Sequence, residues 1–335
     1  MPKFIVVFAF LLLSTTIFSN SNDTLFTPRI EGTIRAKYEY NVSLSEQRFQ
    51  VRNARFSING KFSNLVSYKA EIDLSDEGET KMLDAFLRYH PESWFTFTVG
   101  QQKIPFSTDN IRSPHQLFFS NRSFIGKQLT ALRDVGATVV VSNPKGIPID
   151  LIAGIYNGTG LYNQKMWRYS NELSYSFRTV IEPFKNAELT LNYNSVQPYN
   201  LRMNMFNVGG AVNFNGLHLE SEFYYKTYNA SVFNPTSGFF AMAAYGVNTP
   251  KLIHVKNIKA LLRFDNMTNN NKGKMDAGGN YMLDDIARSR VTAGLTFSFS
   301  KPFLNDIRLN YEQYFFPEGY INDQNKLVVE YVVRF

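Results

Sequence analysis

A closed, antiparallel β-barrel of about sixteen strands crossing a membrane is the fold class this sequence predicts. Three observations predict it. Apolar and polar residues alternate along segments of about ten residues, as they do in strands with one lipid face and one aqueous face. Short, turn-like connectors alternate with mostly longer, polar ones. The chain also keeps its alternation to its last residue, a phenylalanine.

Composition narrows the alternatives before any element is placed. The 335 residues carry no cysteine, which excludes disulfides and thiolate metal sites, and the formal net charge is +7. Residues 1–21 read as an export leader: Lys3 supplies the positive start, Phe4 to Leu13 is an apolar run, and Ser19-Asn20-Ser21 offers small residues for cleavage. Beyond residue 21 no apolar run approaches the roughly twenty residues that a spanning helix needs. Residues 22–335 are therefore expected to form the barrel.

The elements follow in order. From Arg29 to Tyr40, Ile30, Gly32, Ile34, Ala36, Tyr38 and Tyr40 share one face, and Arg29, Glu31, Thr33, Arg35, Lys37 and Glu39 the other. The same period returns over Val66 to Ser75. Continued, it predicts strands near 29–40, 51–62, 66–75, 82–90 and 95–102. After a long interruption come 134–142, 148–156, 168–179, 187–194, 203–214 and 217–226, then 239–247, 256–265, 289–299, 306–314 and 326–335. The segments 203–214 and 239–247 fit least well, because their polar faces are thin. Asn215-Gly216 is a two-residue hairpin signal. Longer polar connectors fall at 41–50, 76–81, 157–167, 227–238, 266–288 and 315–325.

A soluble β-sandwich also alternates, but its two sheets must share a narrow core. Here Tyr38, Tyr40, Tyr89 and Tyr193 sit toward the ends of the apolar faces, the pattern of an interfacial girdle. Leu327, Val329, Tyr331, Val333 and Phe335 alternate to the end of the chain. This resembles the final-strand signature that hands bacterial outer-membrane barrels to their insertion machinery. The expected address is the outer membrane, with its lipid and lipopolysaccharide as surroundings.

The interruption from Lys103 to Arg133 is where function is expected. About thirty residues without a strand pattern far exceed the usual connection of about 4–6. The segment holds Lys103, Arg112, Arg122, Lys127 and Arg133 against one acid, Asp109. Folded into a pore, with Arg35 and Arg55 from the wall, these cations would favour small anions. Guanidinium forks match phosphate-type oxyanions, and basic rings select anions. The expectation is passive diffusion of anions, phosphate among them.

Other chemistries find little support. The four histidines lack metal-type spacing, and no cofactor motif is present. Asp73, Asp76, Glu77 and Glu79 read as a solvated outer loop, and the Asn-rich 266–280 as a mobile one. A barrel-borne lipid hydrolase would need a serine–histidine pair, and His90 with Asp84 has no serine beside it. A non-conducting adhesion or structural barrel is the other alternative. Basic residues alternate with acids instead of forming a stripe, which disfavours nucleic acid.

Between about 50 and 160 the chain resembles the phosphate-selective porin O and P family. The resemblance rests on Arg52-Asn53-Ala54-Arg55-Phe56 followed by Gly60, on Asp84-Ala85-Phe86-Leu87-Arg88-Tyr89, and on Val99-Gly100-Gln101-Gln102-Lys103-Ile104-Pro105-Phe106. Asn121-Arg122-Ser123, Arg133-Asp134-Val135-Gly136 and Tyr156-Asn157-Gly158-Thr159-Gly160 continue it. It implies a sixteen-stranded barrel, a homotrimer, and a third outer loop folded inward.

Overall fold

The computed structural model describes residues 27–130, 133–158, 173–197, 199, 201–229, 231–250, 254–299 and 304–335. The expected leader, residues 1–21, lies outside them. Sixteen strands run in order: β1 Arg29–Asn41, β2 Glu46–Lys61, β3 Val66–Asp76, β4 Glu79–Glu92, β5 Phe95–Lys103, β6 Arg133–Asn143, β7 Ile149–Tyr156 and β8 Ser174–Phe184. The second half holds β9 Ala187–Val196, β10 Met203–Phe214, β11 Leu217–Tyr228, β12 Thr236–Asn248, β13 Val255–Met267, β14 Arg288–Phe299, β15 Leu304–Phe315 and β16 Lys326–Arg334. Each pairs antiparallel with its sequence neighbours, and β1 pairs with β16 to close the barrel. Closure satisfies every strand's backbone groups and leaves no edge, which hydrocarbon surroundings require.

Alternation sorts the side chains as expected. On β10 and β11, Phe206, Val208, Leu219 and Phe223 are exposed outward, whereas Asn207, Glu220 and Glu222 are buried inward. Asn215 and Gly216 both take positive φ, at 45° and 83°, and Phe214 pairs with Leu217 across them. That is the conformation a tight hairpin needs.

Three expected strands shift. β2 and β4 begin several residues early, so the connectors expected at 41–50 and 76–81 shrink to 42–45 and 77–78. There successive residues are exposed on both faces, and polar residues such as Glu46, Gln47 and Arg48 hide the strand period. The eighth strand runs Ser174–Phe184 where 168–179 is expected; residues 168–172 lie outside the described set. β8 thus carries Pro183 near its end, beside a register irregularity between Ile181 and Phe184. A proline cannot donate to the ladder, so a broken register suits it.

The seam is closed by the last residue. Phe335 exchanges backbone hydrogen bonds with Gly32, N to O at 3.1 and 2.8 Å. A Cβ on Gly32 would lie 2.4 Å from the Phe335 ring, so a larger residue there would have to displace the ring. The same ring meets Phe56 edge-on at 6.2 Å.

The hydrophobic core is inside the barrel and one-sided. Ile104, Phe106, Phe119, Phe124, Ile125 and Leu129 of the 104–130 segment pack on inward-facing Met203, Met205, Tyr224, Phe240, Met242 and Leu261. This explains the thin polar faces of β10 and β12: their inward positions cover the segment instead of water.

Candidate functional site: the basic lumen beside the inner segment

The segment between β5 and β6 carries a short helix, α1 (Thr108–Ile111), a 3-10 turn (Pro114–Gln116) and a single π turn (Ile125–Leu129). Charged inward groups hold it along most of its length. Asp265, fully buried on β13, accepts from Arg263 at 2.8 Å, from Arg290 at 2.9 and 3.1 Å, and from the Phe124 amide at 3.2 Å. Arg290 and Arg263 in turn donate to the Arg122 carbonyl, at 2.8 and 3.2 Å. Toward the seam, Ser120 N donates to Asn310 at 2.7 Å and Asn121 donates to Glu312 at 2.8 Å. The Glu222 carboxylate on β11 accepts from the Asp109 amide at 2.9 Å.

The seven basic residues expected at the site divide by partner. Arg35 is 4% exposed, paired with Glu330 at 2.5 Å and donating to Asn53 and the Ser120 carbonyl. Arg112 forms a two-point pair with Glu220, one contact at 2.8 Å. Both latch segment to wall. Arg55 pairs with Asp73 at 2.9 Å, and Arg133 with Asp84 at 3.0 Å. Lys103 donates to the carbonyls of Asn110, Ile111 and Arg112, which makes it a cap on the C-terminus of α1. Arg122 donates to the Asp109 and Arg112 carbonyls. Lys127 is exposed to the lumen.

Within the segment the charges set one another. Burial pushes the Asp109 carboxyl up, but Arg122, Arg263 and Arg112 outweigh it and hold it below the usual range. Burial lowers Arg122 to about 10 despite Asp109, and Arg35, Arg55 and Arg112 add to the lowering. His115 falls to about 4 through burial and the nearby Arg334 and Arg308.

A cavity of about 840 Å³ opens between the segment and the opposite wall. Of the seven residues, Lys103, Arg122, Lys127, Arg133 and Arg55 line it, and Arg35 and Arg112 do not. Fourteen lysines and arginines border it against three carboxylates, Glu39, Asp76 and Glu77. Six of those cations (Lys37, Lys103, Arg122, Lys127, Lys226 and Lys274) have no carboxylate within 4 Å among the described residues. Arg55 also borders a second cavity of about 70 Å³, which includes His115, Glu71 and Lys69. It therefore stands at the junction of the two.

Three contributors escape a reading by period. Arg52 falls on the apolar face of a regular strand, yet it lines the cavity and pairs with Asp76 and Glu77. A bulge does this: Arg35 faces Asn53 and Ala36 faces Val51, leaving Arg52 extra and inward. Lys272 and Lys274 come from the Asn-rich connector, which is fastened by Asn270–Asp285 and Met275–Tyr281 bridges and by Lys226 on Asn270 and Asn271. Of the acidic run expected to be solvated, Asp73 is fully buried and Asp76 is bound by Arg52 and Lys81. Asp84 is engaged by Lys69 and Arg133. No cluster of metal-ligating side chains occurs among the described residues.

A closed barrel with an apolar exterior, a charged interior and a segment lodged in its lumen defines an outer-membrane channel. The profile of the phosphate-selective porin O and P family matches residues 32–233, well beyond the stretch that carries the motifs, and the chain belongs to that family. It is a porin of the bacterial outer membrane. No curated protein matches the chain. Among solved structures the fold is similar to OmpT, an outer membrane protein of Vibrio cholerae in trimer form, at TM-score 0.63 and 11% identity, over 92% of this chain and 99% of that one. It is similar to an anion-selective porin from Comamonas acidovorans, at TM-score 0.61 and 10% identity, over 92% and 98%. The outer membrane channel DcaP of Acinetobacter baumannii gives 0.61 and 12%, over 94% and 99%.

Proposed function

We propose that this porin passes small anions by passive diffusion, phosphate-type oxyanions among them, and that it works as a homotrimer. The observation that carries the reading is the charge balance of the larger cavity, fourteen cations to three carboxylates, with six of the cations free of a carboxylate partner. Surface charges that are already paired steer little. Unpaired ones lining a low-dielectric wall raise the local concentration of counter-ions. Lys103, Arg122, Lys127, Arg133 and Arg55 are the proposed path-lining cations; Arg35 and Arg112 position the segment that narrows the path. The similarity to an anion-selective porin and to a barrel in trimer form agrees with this reading.

The test is planar-bilayer recording across a potassium chloride gradient, with and without added phosphate. A reversal potential of anionic sign, with block by phosphate, is the expected result, and Lys127→Gln should reduce the anion preference. Cation preference would overturn the selectivity. A silent recording from correctly folded protein would point to a plugged, structural barrel.

A further inference from the structure

One histidine of the inner segment is held in a way that only its neutral form allows. Arg334, on β16, lies with Nη1 2.6 Å from His115 Nε2 and donates through Nη2 to Glu31 at 3.1 Å. A guanidinium can only donate, so this imidazole nitrogen is the acceptor and carries no proton. Arg308 on β15 holds the same 3-10 turn by its backbone, donating to the Pro114 and His115 carbonyls at 3.4 and 3.1 Å. Around the ring the charges do not balance. Arg308 and Arg334 stand on the wall it rests against, Arg55 and Lys69 on β2 and β3, and the carboxylates are Glu31 on β1 and Glu71 on β3. Glu31 is engaged by Arg334, and Glu71 by Lys69 and Arg55 at 2.6 and 3.5 Å. Burial first, then Arg334 and Arg308, lower the imidazole to about 4.

Three residues further on, the segment is held at another wall in the reverse sense. Phe118 stacks on His218 of β11, with ring centres 4.6 Å apart. His218 places Nε2 3.0 Å from Glu220 Oε2 and Nδ1 2.8 Å from Asn213 Oδ1. Both of its nitrogens face oxygens, so a further proton there supplies a donor where one is wanted. Between the turn and β1–β3 lies the smaller cavity, about 70 Å³, which meets the larger one at Arg55.

We infer that His115 is an acid-operated switch of the inner segment. A proton on Nε2 removes the Arg334 contact, and the turn swings from β16 about the Phe118–His218 contact into the smaller cavity, which narrows the path. The Arg334 and Arg308 guanidinium groups repel the new charge, and Glu71 on the far side of the cavity attracts it. The switch goes beyond the anion reading above and holds whichever ion the channel passes.

The experiment is single-channel recording in symmetric potassium chloride from pH 7 down to pH 4. The parent should step to a lower conductance level. The ratio of time in the high level to time in the low level should fall by up to about three-hundredfold, tenfold for each pH unit between 6.5 and about 4. His115→Gln keeps an acceptor for Arg334 and takes up no proton, so it should hold the parental level through pH 4. His115→Lys brings a charge at neutral pH and should show the low level already at pH 7. Heat-modifiable migration on a gel verifies that each variant is folded, and His115→Gln decides the matter even where His115→Lys fails to fold. An acid step that persists in His115→Gln, a parent without one, or a step to a higher level would overturn the inference.

Discussion

Asp265 is the point at which the lumen segment can be released. Its carboxylate sits at 0% exposure and accepts four hydrogen bonds: one from Arg263, two from Arg290, and one from the Phe124 amide. Asp265→Ala leaves two buried guanidinium groups without this partner, although Glu312 still reaches Arg290 at 3.2 Å. Breaking a buried ion pair by removing one partner costs about 3–5 kcal/mol. The ladder of β13 is untouched, so the cost falls on the docking of the segment and not on the wall. At about 1.4 kcal/mol per decade, the docked fraction should fall between about a hundredfold and a few thousandfold relative to the undocked. In single-channel recordings this should appear as larger conductance with frequent switching between levels. Limited proteolysis from the outer side should cut within 104–130 in the variant and spare the parent. Asp265→Asn keeps an acceptor for the Phe124 amide and should give a milder form of the same behaviour. Parental conductance, quiet traces and an uncut segment in Asp265→Ala would refute the assignment of the latch.

Further outcomes follow from the same geometry. Gly238 faces the segment, and a Cβ there would lie 2.6 Å from a Leu129 methyl; Gly238→Val should cost about 1–3 kcal/mol by overpacking and change the conductance level. His115 has its pKa lowered from 6.5 to about 4, so between these values an unfolded chain takes up a proton that the native one refuses. Its contribution to stability is present above about 6.5 and is lost as pH falls toward 4; His115→Gln should flatten the melting-temperature slope in that window. Gly32→Val collides with the Phe335 ring and should slow membrane assembly, as should deletion of Phe335; the fraction of heat-modifiable, folded protein on a gel measures this.

Strand count and order were legible because lipid outside and water inside impose a period of two on nearly every strand. The reading weakens where that contrast vanishes. At the start of β2, Glu46 to Arg48 are exposed on both faces and look like a loop. On β10 and β12, Met203, Met205, Phe240 and Met242 look inward without being polar, since their solvent is the segment. The long basic interruption brings Lys103, Arg122, Lys127 and Arg133 to the larger cavity, but charge type does not disclose a partner. Arg35 and Arg112 found Glu330 and Glu220 more than a hundred residues away, and Lys103 found carbonyls. Arg52 depends on a bulge that no residue type announces. The outer lysines Lys272 and Lys274 belong to a connector whose ties to β11 are tertiary.

The latches have an order in time as well as in space. The segment is made early, yet several of its anchors, Asp265, Arg290, Arg308, Asn310, Glu312 and Arg334, belong to the last four strands. The Arg334–His115 contact spans 219 positions of sequence, and the Ser120–Asn310 contact spans 190. Contacts this distant form only after the intervening chain has been ordered. The constriction is therefore a product of closure. A barrel still missing β16 has neither a closed wall nor the Arg334 contact to His115 of the segment.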